Sequence, residues 1–322
     1  MRAFITGASG FIGSHLVEHL LNKEWVVRLL SHKHKIPGEE ECEIVRGDIN
    51  DFQTLSKALK GTDILFHLAA ALGSSLIKKK EFFKINALGT KSVLKAAHEA
   101  GVKRVIHFSS AGVLGSVKDN QVATENFHLN PQDVYDKSKL EGEKEALLSA
   151  QEGMDVVIIR PGWVYGPGDR RTFRLIKAIA KKRFILVTKG NALQTPIFIQ
   201  DLINGVLLCV EKGKKGEIYH LAGSEILKVK DIVKSIASAT GTKIPPFSLP
   251  LFPVKLTAYF IGKIYSLLNK EAPLNLSKLA FFIHPKPLSI QKAKKELKFS
   301  PKTNFKEGLI KTVSWYRDQG WL

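Results

Sequence analysis

The amino-acid sequence predicts an α/β fold, a doubly wound parallel sheet, and two observations carry that prediction. The first is the N-terminal stretch MRAFITGASGFIG, in which a short apolar run, Ala3-Phe4-Ile5, leads into a glycine turn. Leu16, Val17, Leu20 and Leu21 then return at helical spacing. The second is the alternation of apolar runs with amphipathic helical segments through the first two thirds of the chain, the pattern of parallel strands covered on both faces. Strand, turn and helix in that order bring backbone N–H groups and a helix N-terminus to a pyrophosphate. Gly7 allows the tight turn, Gly10 the close approach of the phosphates, and Gly13 the packing of helix on strand. Ser9, Phe11 and Ile12 complete this expected Rossmann dinucleotide site.

Taken in order, Trp25–Leu30 reads as the second strand, and its end should meet the adenosine ribose. An acidic residue there would accept from the ribose 2′-hydroxyl and repel a 2′-phosphate. Ser31, His32 and Lys33 stand there instead, with no acid before Glu39. A hydroxyl and potential cations suit a phosphate, which favours NADP, with NAD the alternative. Glu43–Val45 reads as the third strand, after which Asp48 is placed to accept from the adenine amino group and Ile49 to pack on the ring. Residues 52–60 suit a short helix. Asp63–Leu68 is a fourth, continuously apolar strand, and Leu68, Ala69 and Ala70 at its carboxyl end leave room for a cofactor. A helix from about Phe82 to Ala100 carries Asn86, and the strand Arg104–Phe108 ends in Ser109-Ser110.

The composition is that of an ordinary globular chain of 322 residues apart from its charge, +19 from 49 Lys/Arg and 30 Asp/Glu. From residue 201 onward 20 Lys/Arg face 9 Asp/Glu, so +11 of it lies there. A lysine-rich solvated surface is the first reading; an acidic substrate or an anionic membrane surface are the sharper ones. No nucleic-acid-binding motif accompanies the charge. Cys42 and Cys209 are far apart and suggest neither a disulfide framework nor a metal site. With the phosphate turn reached by residue 7, a cytoplasmic location is expected.

After a polar loop, Tyr135 and Lys139 stand four apart on a helix running to about Ala150, so both project from one face. A tyrosine of pKa about 10 is a poor base at neutral pH, and lowering it by about three units takes roughly 4 kcal/mol. One ammonium about 4–5 Å away supplies on the order of 3–4 kcal/mol at an effective dielectric near 20. Tyr135 is therefore the expected proton-transfer residue, with Lys139 its electrostatic tuner.

TGASGFIG, HLAA (His67–Ala70), NALGT (Asn86–Thr90), HFSSAGVLG (His107–Gly115), YDKSK and RPGWVYGPGD (Arg160–Asp169) occur in the order and spacing of the extended short-chain dehydrogenase/reductases. The chain resembles that family, the NAD-dependent epimerase/dehydratase type, from residue 1 to about 225. The resemblance implies that Ser110 polarises the reacting oxygen of the substrate, because it stands five places before Gly115. It also implies that Lys139 holds the nicotinamide ribose, that Asn86 is the asparagine of NxxGT, and that Pro161 borders the cofactor. Many relatives form homodimers through the helices that here carry Asn86 and Tyr135, so a homodimer is expected. Three departures narrow the chemistry. Ala111-Gly112 follows Ser110 where the nucleotide-sugar dehydratases have acids. Leu114 replaces a frequent tyrosine. Trp163 stands where epimerases commonly present an asparagine to a diphosphate, and an indole packs on apolar rings but accepts no hydrogen bond. RPGWVYGPG and VVRLLSHK look more like the 3β-hydroxysteroid dehydrogenase and dihydroflavonol reductase branch, in which an arginine for the 2′-phosphate falls where His32 stands.

The family pattern implies a dinucleotide-binding domain of residues 1–161 and 197–222. Residues 162–196 and 223–322 then form a smaller, discontinuous substrate-binding domain. Within it, residues 244–269 are the most apolar part of the chain, read first as a helix over the cleft and alternatively as a peripheral membrane contact. The final segment, Ser289–Leu322, has helical periodicity. The expected function is an NADP(H)-dependent oxidoreductase interconverting a secondary alcohol and a ketone on a largely apolar, sterol-like small molecule. The alternatives are a nucleotide-sugar epimerase using tightly bound NAD and a non-enzymatic dinucleotide-binding protein.

Overall fold

The computed structural model describes residues 1–32, 39–72, 76–118, 121–245 and 247–322. Seven parallel strands form the central sheet: β1 (Arg2–Thr6), β2 (Val26–Ser31), β3 (Glu43–Arg46), β4 (Ile64–His67), β5 (Arg104–Phe108), β6 (Val156–Pro161) and β7 (Ile218–Leu221). Their spatial order is β7-β6-β5-β4-β1-β2-β3. β1, β4 and β6 are buried along nearly their whole length, which is why their sequences run apolar instead of alternating. Register pairs Thr6 with His67, His67 with His107, and Phe108 with Ile159. The carboxyl ends of β1, β4, β5 and β6 therefore share one edge. Strand order reverses between β1 and β4, and the crevice of an open α/β sheet lies at such a reversal.

Helix α1 (Phe11–Leu21) follows β1 and buries Leu16, Val17 and Leu20 on the sheet. The segment expected as one helix from about Phe82 is Lys79–Phe83, a π-type turn Lys84–Gly89, and then α2 (Thr90–Glu99). Asn86 sits in that turn. Helix α3 (Val134–Gln151) carries Tyr135 and Lys139 and is started by Asp133, whose carboxylate accepts from the Asp136 N–H. Beyond β6, Trp163–Tyr165 pairs in parallel with Pro196–Phe198. The periodicity at the C-terminal end resolves into two helices, Gln291–Leu297 and Phe305–Asp318.

The apolar stretch after residue 244 forms the helix α4 (Leu251–Leu267). Only Val254 and Ala258 are buried in it, and Val254 packs in a small cluster with Val187 and Leu279. It covers the neighbouring segment with one stripe and leaves most of the rest of its circumference exposed. Among the described residues, no helix is long and apolar enough to cross a membrane.

Candidate active site

The glycine turn has a separate reason for each of its glycines. Gly7 adopts φ +77°, and a Cβ on it would lie 2.6 Å from the Ala69 nitrogen, so the Leu68–Ala70 segment rests directly on the turn. A Cβ on Gly13 would lie 2.3 Å from the Gly7 carbonyl oxygen. Gly10 is different: its added Cβ would meet only the Gly7 oxygen, at 3.2 Å, and is otherwise open. That open side is where a pyrophosphate would approach. Helix α1 starts at Gly10 with no side-chain cap and no acid in its first turn, so its Phe11, Ile12 and Gly13 end offers uncontested backbone donors. Ser9 is exposed beside them. These residues fit a dinucleotide.

At the ribose end the structure rearranges the expected contacts. Ser31 is buried, and its hydroxyl accepts from Arg46 Nη1 at 2.7 Å. The exposed Arg46, at the end of β3, brings a permanent cation to this position. His32 Nε2 lies 3.5 Å from Asp48 Oδ2, both groups about half exposed. Asp48 Oδ1 accepts from the backbone and side chain of Asn50 at 2.8 Å. Burial would raise the Asp48 carboxyl, but the Asn50 hydrogen bonds with the charges of His32 and Lys84 outweigh it and hold it below the usual value. Ile49 packs on Gly89. Lys33 lies outside the described residues.

Beneath the strand ends runs a buried polar chain. Thr6 Oγ1 meets His67 Nδ1 at 2.7 Å, His67 Nε2 meets Thr90 Oγ1 at 3.0 Å, and Thr90 donates to the Asn86 carbonyl at 2.8 Å. Because the Thr90 proton is committed to Asn86, Nε2 of His67 must be the donor to Thr90. Burial, with Lys139 adding to it, pushes His67 down to about 3, so the ring is neutral. The Asn86 amide accepts from Ala71 N at 2.7 Å and donates to the Ala71 carbonyl and to Ser138 Oγ, at 3.1 and 2.9 Å. Both amide protons are spent on protein. Asn86 thus ties the loop after β4 to helix α3 and acts on a cofactor only through that loop.

The Ser110 hydroxyl accepts from the Gly112 N–H at 3.0 Å, which aims its own proton elsewhere, and Ser110 pulls against the rise of the Tyr135 phenol. Lys139 is buried, and its ammonium donates to the Phe108 carbonyl at the end of β5. Burial pulls Lys139 down to about 8, with the Glu143 carboxylate opposing. The expected depression of Tyr135 is not found. Burial pushes its phenol up to about 12, and the cation pulling against it is Arg171. The reason is burial, which outweighs the opposing charge.

Trp163, expected to meet substrate, is part-buried, and its ring lies tilted against Phe281 with centroids 4.8 Å apart. Pro161 ends β6 beside Leu221 of β7. A Cβ on Gly112 would lie 1.6 Å from Asp136 Oδ1, so no acidic side chain fits at that position. Asp136 is itself buried, which raises its carboxyl, and pairs with Lys286 at 3.5 Å across to the segment before Leu288.

Sequence reasoning missed Arg46, Arg171 and above all Glu143. Glu143 is fully buried and accepts from Ser109 Oγ and from Arg160 Nε and Nη2, the last two at 3.0 and 2.5 Å. Arg160 also donates to the Glu125 carbonyl at 2.9 Å, and the Glu125 carboxylate accepts from His220 N at 3.0 Å. The signal was present in the chain: Tyr135, Lys139 and Glu143 repeat at i, i+4 and i+8 on one helix face.

The chain matches known proteins over nearly its full length. The chain is 28% identical over 317 residues to a 4-hydroxy-2-methyl-3-oxo-4-farnesyl-3,4-dihydroquinoline-1-oxide ketoreductase of Stigmatella aurantiaca, covering 96% of this chain and 95% of that one. It is 26% identical to a 3 beta-hydroxysteroid dehydrogenase/Delta 5-->4-isomerase of Mycobacterium tuberculosis, over 98% of this chain and 90% of the other. Among solved structures, a dTDP-glucose 4,6-dehydratase of Streptomyces venezuelae, determined with NAD, superposes with a TM-score of 0.81 at 26% identity, covering 100% of this chain and 98% of that one. The family model of NAD dependent epimerases and dehydratases matches residues 3–222, the span that holds the glycine turn, Ser110, Tyr135 and Lys139. The chain belongs to the NAD dependent epimerase/dehydratase family, the extended short-chain dehydrogenase/reductases.

Proposed function

We propose that the protein is an NADP(H)-dependent oxidoreductase that interconverts a secondary alcohol and a ketone on a largely apolar, sterol-like substrate. The observation that carries the reading is the meeting of Ser110, just past the end of β5, with Tyr135, in the first turn of helix α3, close enough that Ser110 acts on the Tyr135 phenol. The bound nicotinamide supplies or accepts the hydride. Ser110, its lone pair occupied by Gly112, donates to the reacting oxygen. Tyr135 transfers the proton to or from that oxygen, and the raised phenol keeps it protonated and ready to donate in the direction of ketone reduction. Lys139 orients the cofactor ribose. Residues 162–196 and 223–322 close over the cleft as the substrate-binding part, with the remainder holding the dinucleotide. Two relatives above are named for ketone and hydroxysteroid chemistry, and in this chain Trp163 packs against Phe281 where the expected asparagine of the epimerases would offer an amide.

A second reading, a nucleotide-sugar epimerase, is favoured by one observation: Arg171 is close enough to act on Tyr135 and offers a cation to an anionic substrate. One assay separates the two. With NADPH and a panel of steroid and polyprenyl-quinoline ketones, reduced-nicotinamide absorbance should fall only when a true substrate is present. An epimerase leaves that absorbance unchanged at steady state while converting UDP- or dTDP-sugars, and that result would replace the first reading by the second.

The choice of NADP rests on Arg46. Arg46→Ala should raise KM for NADPH by about tenfold or more, the value of a charge-assisted contact to phosphate, and leave KM for NADH within about twofold. Equal effects on both cofactors would remove the 2′-phosphate assignment.

A further inference from the structure

Helix α4 presents an apolar surface that the protein does not cover. Phe252 is 77% exposed and Leu267 80%, with Leu256, Tyr259 and Phe260 at 48–54% between them. At 100° per residue these five positions fall within one third of the circumference, opposite Val254 and Ala258. The stripe is roughly 25 Å long for a helix of this length. Such a patch on a helix end to end is larger than isolated exposed side chains account for.

Its charge identifies the partner. Residues 241–295 contain nine lysines and a single acid, Glu271. Glu271 is already paired with Arg174 and Lys278. Among the described residues, Lys255, Lys263 and Lys270 make no ion pair, and Lys263 lies within the apolar stripe while Lys255 flanks it. A second copy docked by a two-fold axis would bring these lysines together with no carboxylate on either helix to meet them. Phosphate headgroups above a hydrocarbon layer satisfy both features: aromatic and aliphatic side chains enter the interface while lysine stems extend to the anions. A spanning role is excluded by length, since the helix has 17 residues.

We propose that α4 is a peripheral membrane-docking helix that lays the protein on an anionic phospholipid surface.

The test is flotation of the full chain with phosphatidylcholine vesicles, with or without phosphatidylglycerol, at low and high salt, a measurement independent of activity. The wild type should float with the anionic vesicles at low salt and at least about tenfold less with neutral ones. Phe252→Glu with Leu267→Glu, and separately Lys255→Glu with Lys263→Glu, should each reduce flotation by about tenfold with an unchanged melting temperature, since all four side chains are exposed. Absence of flotation of the wild type overturns the proposal. So does flotation that both double variants retain, which would place binding on lysines elsewhere. A wild-type dimer in sedimentation that Phe252→Glu with Leu267→Glu converts to monomer, without vesicle binding, assigns the face to a second copy instead.

Discussion

Tyr135→Phe is expected to lower turnover by about three orders of magnitude while leaving the folded protein intact, because proton transfer by a positioned side chain contributes 10²–10⁴-fold. The substitution removes one oxygen. Helix α3 keeps its cap at Asp133 and its bonds through Ser138 to Asn86. Melting temperature and NADPH affinity should therefore stay close to wild type. The pH profile supplies the finer check. With the phenol pushed up to about 12, Tyr135 stays protonated across the working range. The group that titrates nearer neutrality is Lys139, pulled down to about 8. Ketone reduction should accordingly fall as pH rises through about 8. Full turnover in the Phe variant on an identified substrate would remove Tyr135 from the chemistry.

Glu143→Ala should cost about 3–5 kcal/mol of stability, the penalty for leaving a buried charge without its partner. Arg160 is 2% exposed and Glu143 0%, so water cannot replace the lost carboxylate. Glu143→Gln keeps the shape and a hydrogen-bond acceptor, so the helix survives, but it removes the charge that supports the Lys139 ammonium. In that variant the alkaline limb of the activity profile should move to lower pH, which a merely structural role would not cause. Lys139 also leaves a signature in stability. Its value is near 10.5 when unfolded and about 8 when folded, so between those limits the unfolded chain binds more protons and stability rises with pH. Above pH 9 the Cys209 thiol, raised by burial, and above pH 10 the raised Tyr135 work in the opposite direction, so the rise is read between pH 8 and 9 by denaturant unfolding. Lys139→Met should abolish it.

Local sequence carries its information where one element supplies both geometry and chemistry. The glycine turn is such a case: Gly7, Gly10 and Gly13 lie within one strand–turn–helix, and their roles follow from chain geometry that neighbours alone impose. Tyr135 and Lys139 are another, since helical spacing puts them on one face. The strands were legible because β1, β4 and β6 are buried on both sides and run apolar without interruption. The apolar character of residues 244–269 was equally plain, but which face of α4 would be covered was not, because both faces are apolar.

Contacts between distant segments were invisible. Arg46 reaches Ser31 only because β3 lies beside β2 in register, and the same pairing turns the Ser31 hydroxyl inward. The Tyr135 phenol rises where a neighbouring lysine suggested a fall, because burial among segments from elsewhere in the chain dominates, and the cation pulling against it is the distant-in-sequence Arg171. Glu143 acquires its role from Ser109 and Arg160, which arrive from β5 and β6. Sequence by itself therefore determined the sheet, the phosphate turn and the placing of Tyr135 and Lys139 on one helix face, all of which depend on spacing within an element. Tertiary structure alone decided their protonation, the cation at the ribose and the face left bare, because solvation and charge depend on what other segments bring within a few ångströms.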